Sequence, residues 1–364
     1  MVRDAGMQLH RGCRMHFTSI ERFIMCTGIE IISNQGNPYW GRTQDFEQHF
    51  EYAGMKIPAG TKIESTYTPF TAEIATMGIA WATDVHAHPV ILDGINEQGI
   101  CGGSFYFDHW YRYASDEEIQ AQGKVPLRGE ELVTWILTHY CSLDEVKQRL
   151  NSEVGIVDAP GPMMGRSVPQ HSVFQDESGR SIVVEPSATN GFAIYENKVG
   201  VFANAPTFDW HVTNLKMHLE RSTHRHYSYD INEPVKSIEL DEWTSGLMGI
   251  PSDYKPETRF LRAAYAKLMS LPVDDDSAIN EVFQLLTTVN NPKGVLRPVE
   301  NGQVLVPWTQ YTAAYDIRNR VLYAHTYDNR NVRMLEFGNP REWDKVHYFN
   351  FISRQTYEPF TEEN

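Results

Sequence analysis

Apolar residues along this chain fall into short blocks bounded by turn residues, and at two places the pattern changes to a helical period. The first block runs from Thr27 to Ser33. Asn34-Gln35-Gly36-Asn37-Pro38 then reads as a turn into a second strand, Tyr39 to Phe46, and the hairpin so formed brings Arg42 and Asp45 back toward residue 26. Ile74 to Trp81 and Val90 to Tyr106 are strand-like, the latter broken by a turn at Asn96-Glu97-Gln98-Gly99. Gly129 to His139 places Leu132, Val133, Ile136 and Leu137 on one helical stripe. Ser142-Leu143-Asp144-Glu145 opens a second helix with a capping-box pattern and turns Leu143, Val146 and Leu150 inward. His171 to Phe174, Ser181 to Glu185, Phe192 to Tyr195 and Gly200 to Ala203 read as a meander, with turns at Glu177-Ser178-Gly179 and Glu196-Asn197-Lys198. Thr258 to Met269 and Ser277 to Thr288 form a second helical pair. Gln310 to Ile317, Val321 to Tyr327 and Val332 to Glu336 are closing strands. This alternation is compatible with an α+β fold of two facing antiparallel sheets whose outer faces are covered by helices. No repeat, low-complexity tract or linker divides the chain, so residues 26–364 read as one domain preceded by a segment, 1–25.

Composition and charge narrow the partners. The 364 residues are 41% hydrophobic and 22% charged, an ordinary globular balance. A net charge of −15 leaves no basic surplus for phosphates, which argues against nucleic acid or an anionic membrane and for a small-molecule partner. Four cysteines, at 13, 26, 101 and 141, lack the paired spacing of a disulfide framework or zinc site and fit a reducing, cytoplasmic compartment. Residues 1–24 carry Arg3, Arg11, Arg14 and Arg22, but no apolar run of signal-peptide length and no small-residue cleavage site before Cys26; no transmembrane stretch occurs elsewhere. The segment reads as a short prepeptide or an upstream translation artefact, with Met25 the working start.

That start matters for Cys26. Were the chain cut after Met25, one residue would hold both a thiol and a free α-amine, whose ordinary pKa of ~8 suits it to accept the thiol's proton. From this segment alone, a small buried hydrophobe in a strand is the better reading. Cys101 and Cys141 read as packing residues in apolar settings. The pairs His86/His88 and His224/His226 have no neighbours that complete a ligand set, so no metal is expected. Gly99 to Gly103 lacks the strand-loop-helix spacing of a phosphate cradle. The aromatic run Tyr106 to Tyr113 suits a packed core and a substrate wall equally.

Several strings carry a resemblance that changes the balance. Met-Cys-Thr-Gly-Ile-Glu (25 to 30), Gly-Arg-Thr-Gln-Asp (41 to 45), Leu-Asp-Gly-Ile-Asn-Glu-Gln-Gly (92 to 99), Asn-Ala-Pro-Thr-Phe-Asp-Trp-His (204 to 211), Ile-Pro-Ser-Asp-Tyr-Lys-Pro-Glu-Thr-Arg-Phe (250 to 260) and Thr-Gln-Tyr-Thr (309 to 312) occur in family-like order. Together they make the chain resemble the choloylglycine hydrolase family, the bile salt hydrolases and penicillin V acylases with an N-terminal cysteine nucleophile. The resemblance implies a four-layer αββα sandwich, hydrolysis of a linear amide, no cofactor and a homotetramer. It implies Cys26 as nucleophile, Arg42 beside its thiol, Asp45 near its α-amine, Asn204 in the oxyanion hole and Arg259 as an organising cation. At the position of Tyr106, penicillin V acylases usually carry Tyr and bile salt hydrolases Asn, which tilts the substrate toward an aromatic or fatty acyl amide. Bile salts are the alternative, and acyl-homoserine lactones a side possibility. The segment Asp241 to Met248 departs from the Gln-containing, Gly-rich loop common among relatives. A protein of another class also stays open: a catalytically silent binding protein in which Cys26 remains blocked.

Overall fold

The opening hairpin forms where the pattern places it, as β1 (Met25–Ile32) and β2 (Pro38–Phe46). Every residue of the two strands is buried except Ile32, because both faces of the hairpin are covered. The computed structural model describes residues 25–364 apart from 66, 82–87, 160–166, 187–190, 220–227, 230–237, 240–248, 301, 351–353 and 362–364. The segment 1–24, His86, His224, His226 and the stretch 241–248 therefore lie outside the described residues.

Twelve further strands complete two antiparallel sheets: β3 (Tyr52–Ile57), β4 (Thr76–Trp81), β5 (Ile91–Asn96), β6 (Cys101–Tyr106), β7 (Gln170–Gln175), β8 (Ser181–Pro186), β9 (Phe192–Glu196), β10 (Val201–Ala203), β11 (Trp308–Asp316), β12 (Val321–Thr326), β13 (Arg333–Glu336) and β14 (His347–Phe349). The first sheet has the order β10-β1-β2-β11-β12-β13 and the second β9-β8-β7-β6-β5-β4-β3-β14. The described residues form six α-helices, α1 (Asp116–Ala121), α2 (Leu132–His139), α3 (Leu143–Glu153), α4 (Phe208–Lys216), α5 (Pro256–Met269) and α6 (Asp275–Thr287). Helices α5 and α6 lie on the outer face of the first sheet, and α2 on that of the second. This is the α+β, four-layer αββα sandwich that the resemblance implies. One apolar core, including Trp40, Phe105 and Tyr315, joins the two sheets with α5 and α6; a second, including Ile91, Leu137 and Val146, sits under α2 and α3. Gly41 lets α6 approach, since a Cβ there would stand 2.4 Å from Val282 Cγ1.

The structure corrects the sequence reading at several points. The fourth strand of the expected meander, β10, leaves the second sheet and pairs with β1 in the first. Its three buried apolar residues read alike in either sheet, and the change is made at the turn ending in Gly200, whose φ of +67° suits glycine. Cys141 is exposed and not in an apolar setting, because it sits between α2 and α3, where its backbone N–H is capped by Glu145 Oε2 at 2.9 Å. Helix α5 begins at Pro256, whose fixed φ suits the first turn, and α6 begins at Asp275. Strands β3 and β14 and helix α1 lie where the sequence pattern predicts no element, and so does helix α4. The latter buries only Phe208, His211 and Leu215, a stripe too sparse to separate from loop.

Candidate active site

In an antiparallel pair, opposed residues point to the same side and neighbours along a strand alternate. The register sets Met25 against Asp45, Cys26 against Gln44, Thr27 against Thr43 and Gly28 against Arg42. Cys26, Gln44 and Arg42 therefore face the space between the sheets, and Met25, Thr27, Thr43 and Asp45 face the helices.

On the inner side, Arg42 Nη2 donates to Cys26 Sγ at 2.9 Å and also to Gln44 Oε1; the thiol donates to Gln44 Oε1 at 3.6 Å. The remaining guanidinium is held from three directions. Nη1 donates to Ser104 O at 2.6 Å, Nε donates to Thr43 O at 3.3 Å, and Cζ lies 4.6 Å from the centre of the Phe105 ring. Burial pushes the Cys26 thiol above its ordinary value, while the Arg42 charge pulls it back. The sulfur is thus a cation-supported thiol that still needs a base.

On the outer side a second buried guanidinium gathers the backbone. Arg259 Nη1 donates to Cys26 O at 2.5 Å and Thr27 Oγ1 at 2.6 Å, and Nη2 donates to Asn204 Oδ1 at 2.9 Å. Asn204, just beyond β10, accepts the Cys26 N–H on Oδ1 at 2.5 Å and donates from Nδ2 to Tyr106 O at 3.0 Å. The carboxamide has two N–H groups, and only one of them is used in this bond. His211 on α4 donates from Nε2 to Asn204 O at 2.8 Å and stacks on Phe260 with centroids 4.7 Å apart. Burial lowers its pKa to about 4, which keeps it neutral.

Asp45 is the incomplete member. It is fully buried, and neither carboxylate oxygen has a hydrogen-bond partner. Burial pushes its carboxyl up to about 6, although the Arg259 charge and the nearby Thr309 and Thr43 hydroxyls soften the shift without reaching hydrogen-bond geometry. A chain starting at Cys26 would put an ammonium group on the Cys26 nitrogen, one residue from Asp45 across the strand pair.

All five residues expected at the site, Cys26, Arg42, Asp45, Asn204 and Arg259, are thus brought together. Tyr106 is there as well, but its ring is buried and its hydroxyl donates to Asp108 Oδ2 at 2.9 Å. What it offers Asn204 is a backbone carbonyl. Of the histidine pairs, only His88 is described, and its Nε2 lies 2.7 Å from Glu131 Oε1. Among the described residues no group of three or more His, Cys, Asp or Glu side chains could hold a metal.

Sequence reasoning missed Thr27, Gln44 and His211, and also Asp93, which lies 3.7 Å from Arg42 Nη1 and accepts the hydroxyls of Tyr311 and Tyr315. Thr27 and Gln44 could have been found by carrying the strand alternation across the predicted hairpin. Asp93, His211 and Tyr311 lie inside the strings at 92 to 99, 204 to 211 and 309 to 312, where spacing alone assigned them no task. Tyr315 carries no local signal.

The site thus presents a buried cysteine near a strand start, flanked by two guanidiniums within an αββα sandwich. The chain belongs to the linear amide C–N hydrolases of the choloylglycine hydrolase family, whose model matches residues 26–340. It is 30% identical over 318 residues to a bile salt hydrolase/transferase of Clostridium perfringens, covering 86% of this chain and 92% of that protein. It is 28% identical over 337 residues to a conjugated bile acid hydrolase of Lactobacillus acidophilus, covering 92% of this chain and all of that one. A crystal structure of a cysteine-to-alanine variant of the conjugated bile acid hydrolase from Clostridium perfringens superposes with a TM-score of 0.82 at 25% identity, over 92% of this chain and 100% of that one. Penicillin V acylase from Agrobacterium tumefaciens shares the fold, with a TM-score of 0.67 at 17% identity over 91% of this chain and 95% of that one. No described helix is long and apolar enough to cross a membrane.

Proposed function

We propose that this protein hydrolyses a small acyl amide through a thioester on Cys26, using the α-amine of Cys26 as the base once residues 1–25 are gone. The observation that carries this reading is the buried Asp45 carboxylate without a hydrogen-bond partner beside the Cys26 nitrogen. A peptide nitrogen has no basic lone pair, whereas a free amine has one and, when protonated, supplies the charge Asp45 lacks. Proton transfer from the thiol to the free amine gives a thiolate and an ammonium that Asp45 balances, and Sγ attacks the amide carbon. The resulting oxyanion meets the spare Asn204 N–H, the amine product leaves with the proton, and water then hydrolyses the thioester. Arg42 stabilises the developing thiolate, and Arg259 holds Cys26 and Asn204 in register.

For the acyl group, the residue at 106 favours an aromatic or fatty chain of the penicillin V kind. Conjugated bile acids are a second reading, favoured by the named relatives at 28–30% identity and by Tyr106 offering the site its carbonyl rather than its ring. A cytoplasmic homotetramer without cofactor completes the proposal. The test joins intact mass to turnover of penicillin V, glycocholate, taurocholate and long-chain acyl-homoserine lactones. We expect the active species to begin at Cys26 and to prefer penicillin V. Preference for the bile salts transfers the assignment to the second reading. Full activity in a chain with Met1 intact overturns the amine as base, and an inactive chain in which Met25 stays attached to Cys26 supports the silent binding protein.

A further inference from the structure

The pairing of β4 with β5 is interrupted by a bulge: Ile79 faces Asp93 and Ala80 faces Ile91, leaving Leu92 as the extra residue. Bulges re-aim side chains, and here the Asp93 carboxylate crosses from the second sheet to the first. Its partner in β6 is Gly103, where a Cβ would come within 2.7 Å of Asp93 Cβ, so glycine clears the space. Asp93 is fully buried. Its Oδ2 accepts the Tyr311 hydroxyl at 2.5 Å, its Oδ1 accepts the Tyr315 hydroxyl at 2.6 Å, and Oδ2 lies 3.7 Å from Arg42 Nη1. Burial pushes this carboxyl up, while Arg42 and the two phenols hold it down.

We propose that Asp93 is a positioning residue for the nucleophile: clamped by Tyr311 and Tyr315, it anchors the Nη1 side of Arg42 so that Nη2 is aimed at Cys26 Sγ. Two opposite effects could in principle join Asp93 to the thiol, and they differ in sign. As a bare charge it opposes the thiolate and offsets Arg42, so removing it would make Cys26 more acidic. As an anchor it keeps the guanidinium on the sulfur, so removing it makes Cys26 less acidic. The geometry favours the anchor. Ser104 O and Thr43 O are single neutral acceptors on a planar group, and the carboxylate is the charged partner opposite the sulfur.

This inference rests on the proposed role of Cys26, and the test separates the two. The readout is the pH midpoint of iodoacetamide alkylation at Cys26, followed by mass spectrometry of its peptide in the trimmed enzyme, together with kcat and KM. Asp93→Asn is expected to raise the midpoint by about one pH unit, a tenfold loss of thiolate below it, and to lower kcat in proportion with KM little changed. Tyr315→Phe keeps the charge but loosens the clamp, so it should shift the midpoint the same way by less; it also serves if Asp93→Asn does not fold. A lowered or unchanged midpoint in both variants overturns the anchor. If Arg42→Lys also leaves the midpoint unmoved, the fault lies instead with the proposed function.

Discussion

The two faces of the β1–β2 hairpin each hold a buried guanidinium, yet one face is complete and the other is not. Between the sheets, Arg42 has the sulfur, Gln44, Ser104 and Asp93 around it, and no part of that arrangement depends on what precedes Cys26. Toward the helices, Arg259 binds backbone and Asn204, while Asp45 is left as a buried carboxylate without a hydrogen bond. The thiol side is pre-organised by the fold, and on the amine side the Arg259 charge only partly offsets the burial of Asp45, which leaves room for the ammonium that the proposed trimming would supply. Strand alternation makes the division possible, because residues 26 and 45 reach opposite faces of one sheet while the Cys26 nitrogen stays in the plane between them.

The comparison can be broken most severely at the sulfur. Cys26→Ala should fold normally and lose activity by on the order of 10⁶-fold, as removal of a covalent nucleophile does. Cys26→Ser should retain at most a trace, since a hydroxyl is the poorer nucleophile at neutral pH. Substantial turnover by the alanine variant would move the chemistry off this face. Next in size is Asn204→Ala, which touches the outer arrangement where it meets substrate. A fall of ~10²–10³ in kcat with a modest change in KM is expected for loss of one oxyanion donor, and a pure KM effect would make Asn204 a binding residue.

The smallest effect sharpens the difference between the faces and is read as stability. Asp45 is raised from its usual 3.8 to about 6 by burial, so the folded state favours its protonated form. In a chain that keeps Met25, the stability this contributes is fully present below about pH 4 and is lost as pH rises through 6, a loss on the order of 3 kcal/mol. Asp45→Asn in that chain should therefore be more stable than the parent at pH 7.5 and equal to it near pH 4, as measured by urea midpoints. In the trimmed chain the ammonium pairs with Asp45, and the same substitution should destabilise at pH 7.5. Glu30, raised to about 7 by burial, adds a loss in the same direction to every chain, so the difference between parent and variant carries the result.

Sequence alone determined the hairpin, most strand and helix positions and, through ordered motifs, the sandwich and five residues that the fold brings together. These are local or linear signals: an alternation of period two, a capping serine before α3, an asparagine two residues before Pro206. It could not say that β10 changes sheets, since Val201-Phe202-Ala203 is equally apolar in either. That change is what delivers Asn204 to the Cys26 nitrogen. Nor could it say that Leu92 bulges and turns Asp93 toward Tyr311 and Tyr315, more than two hundred residues away in the chain. Both depend on which strands meet across the two sheets, and contacts of that range leave no period in the chain to be read.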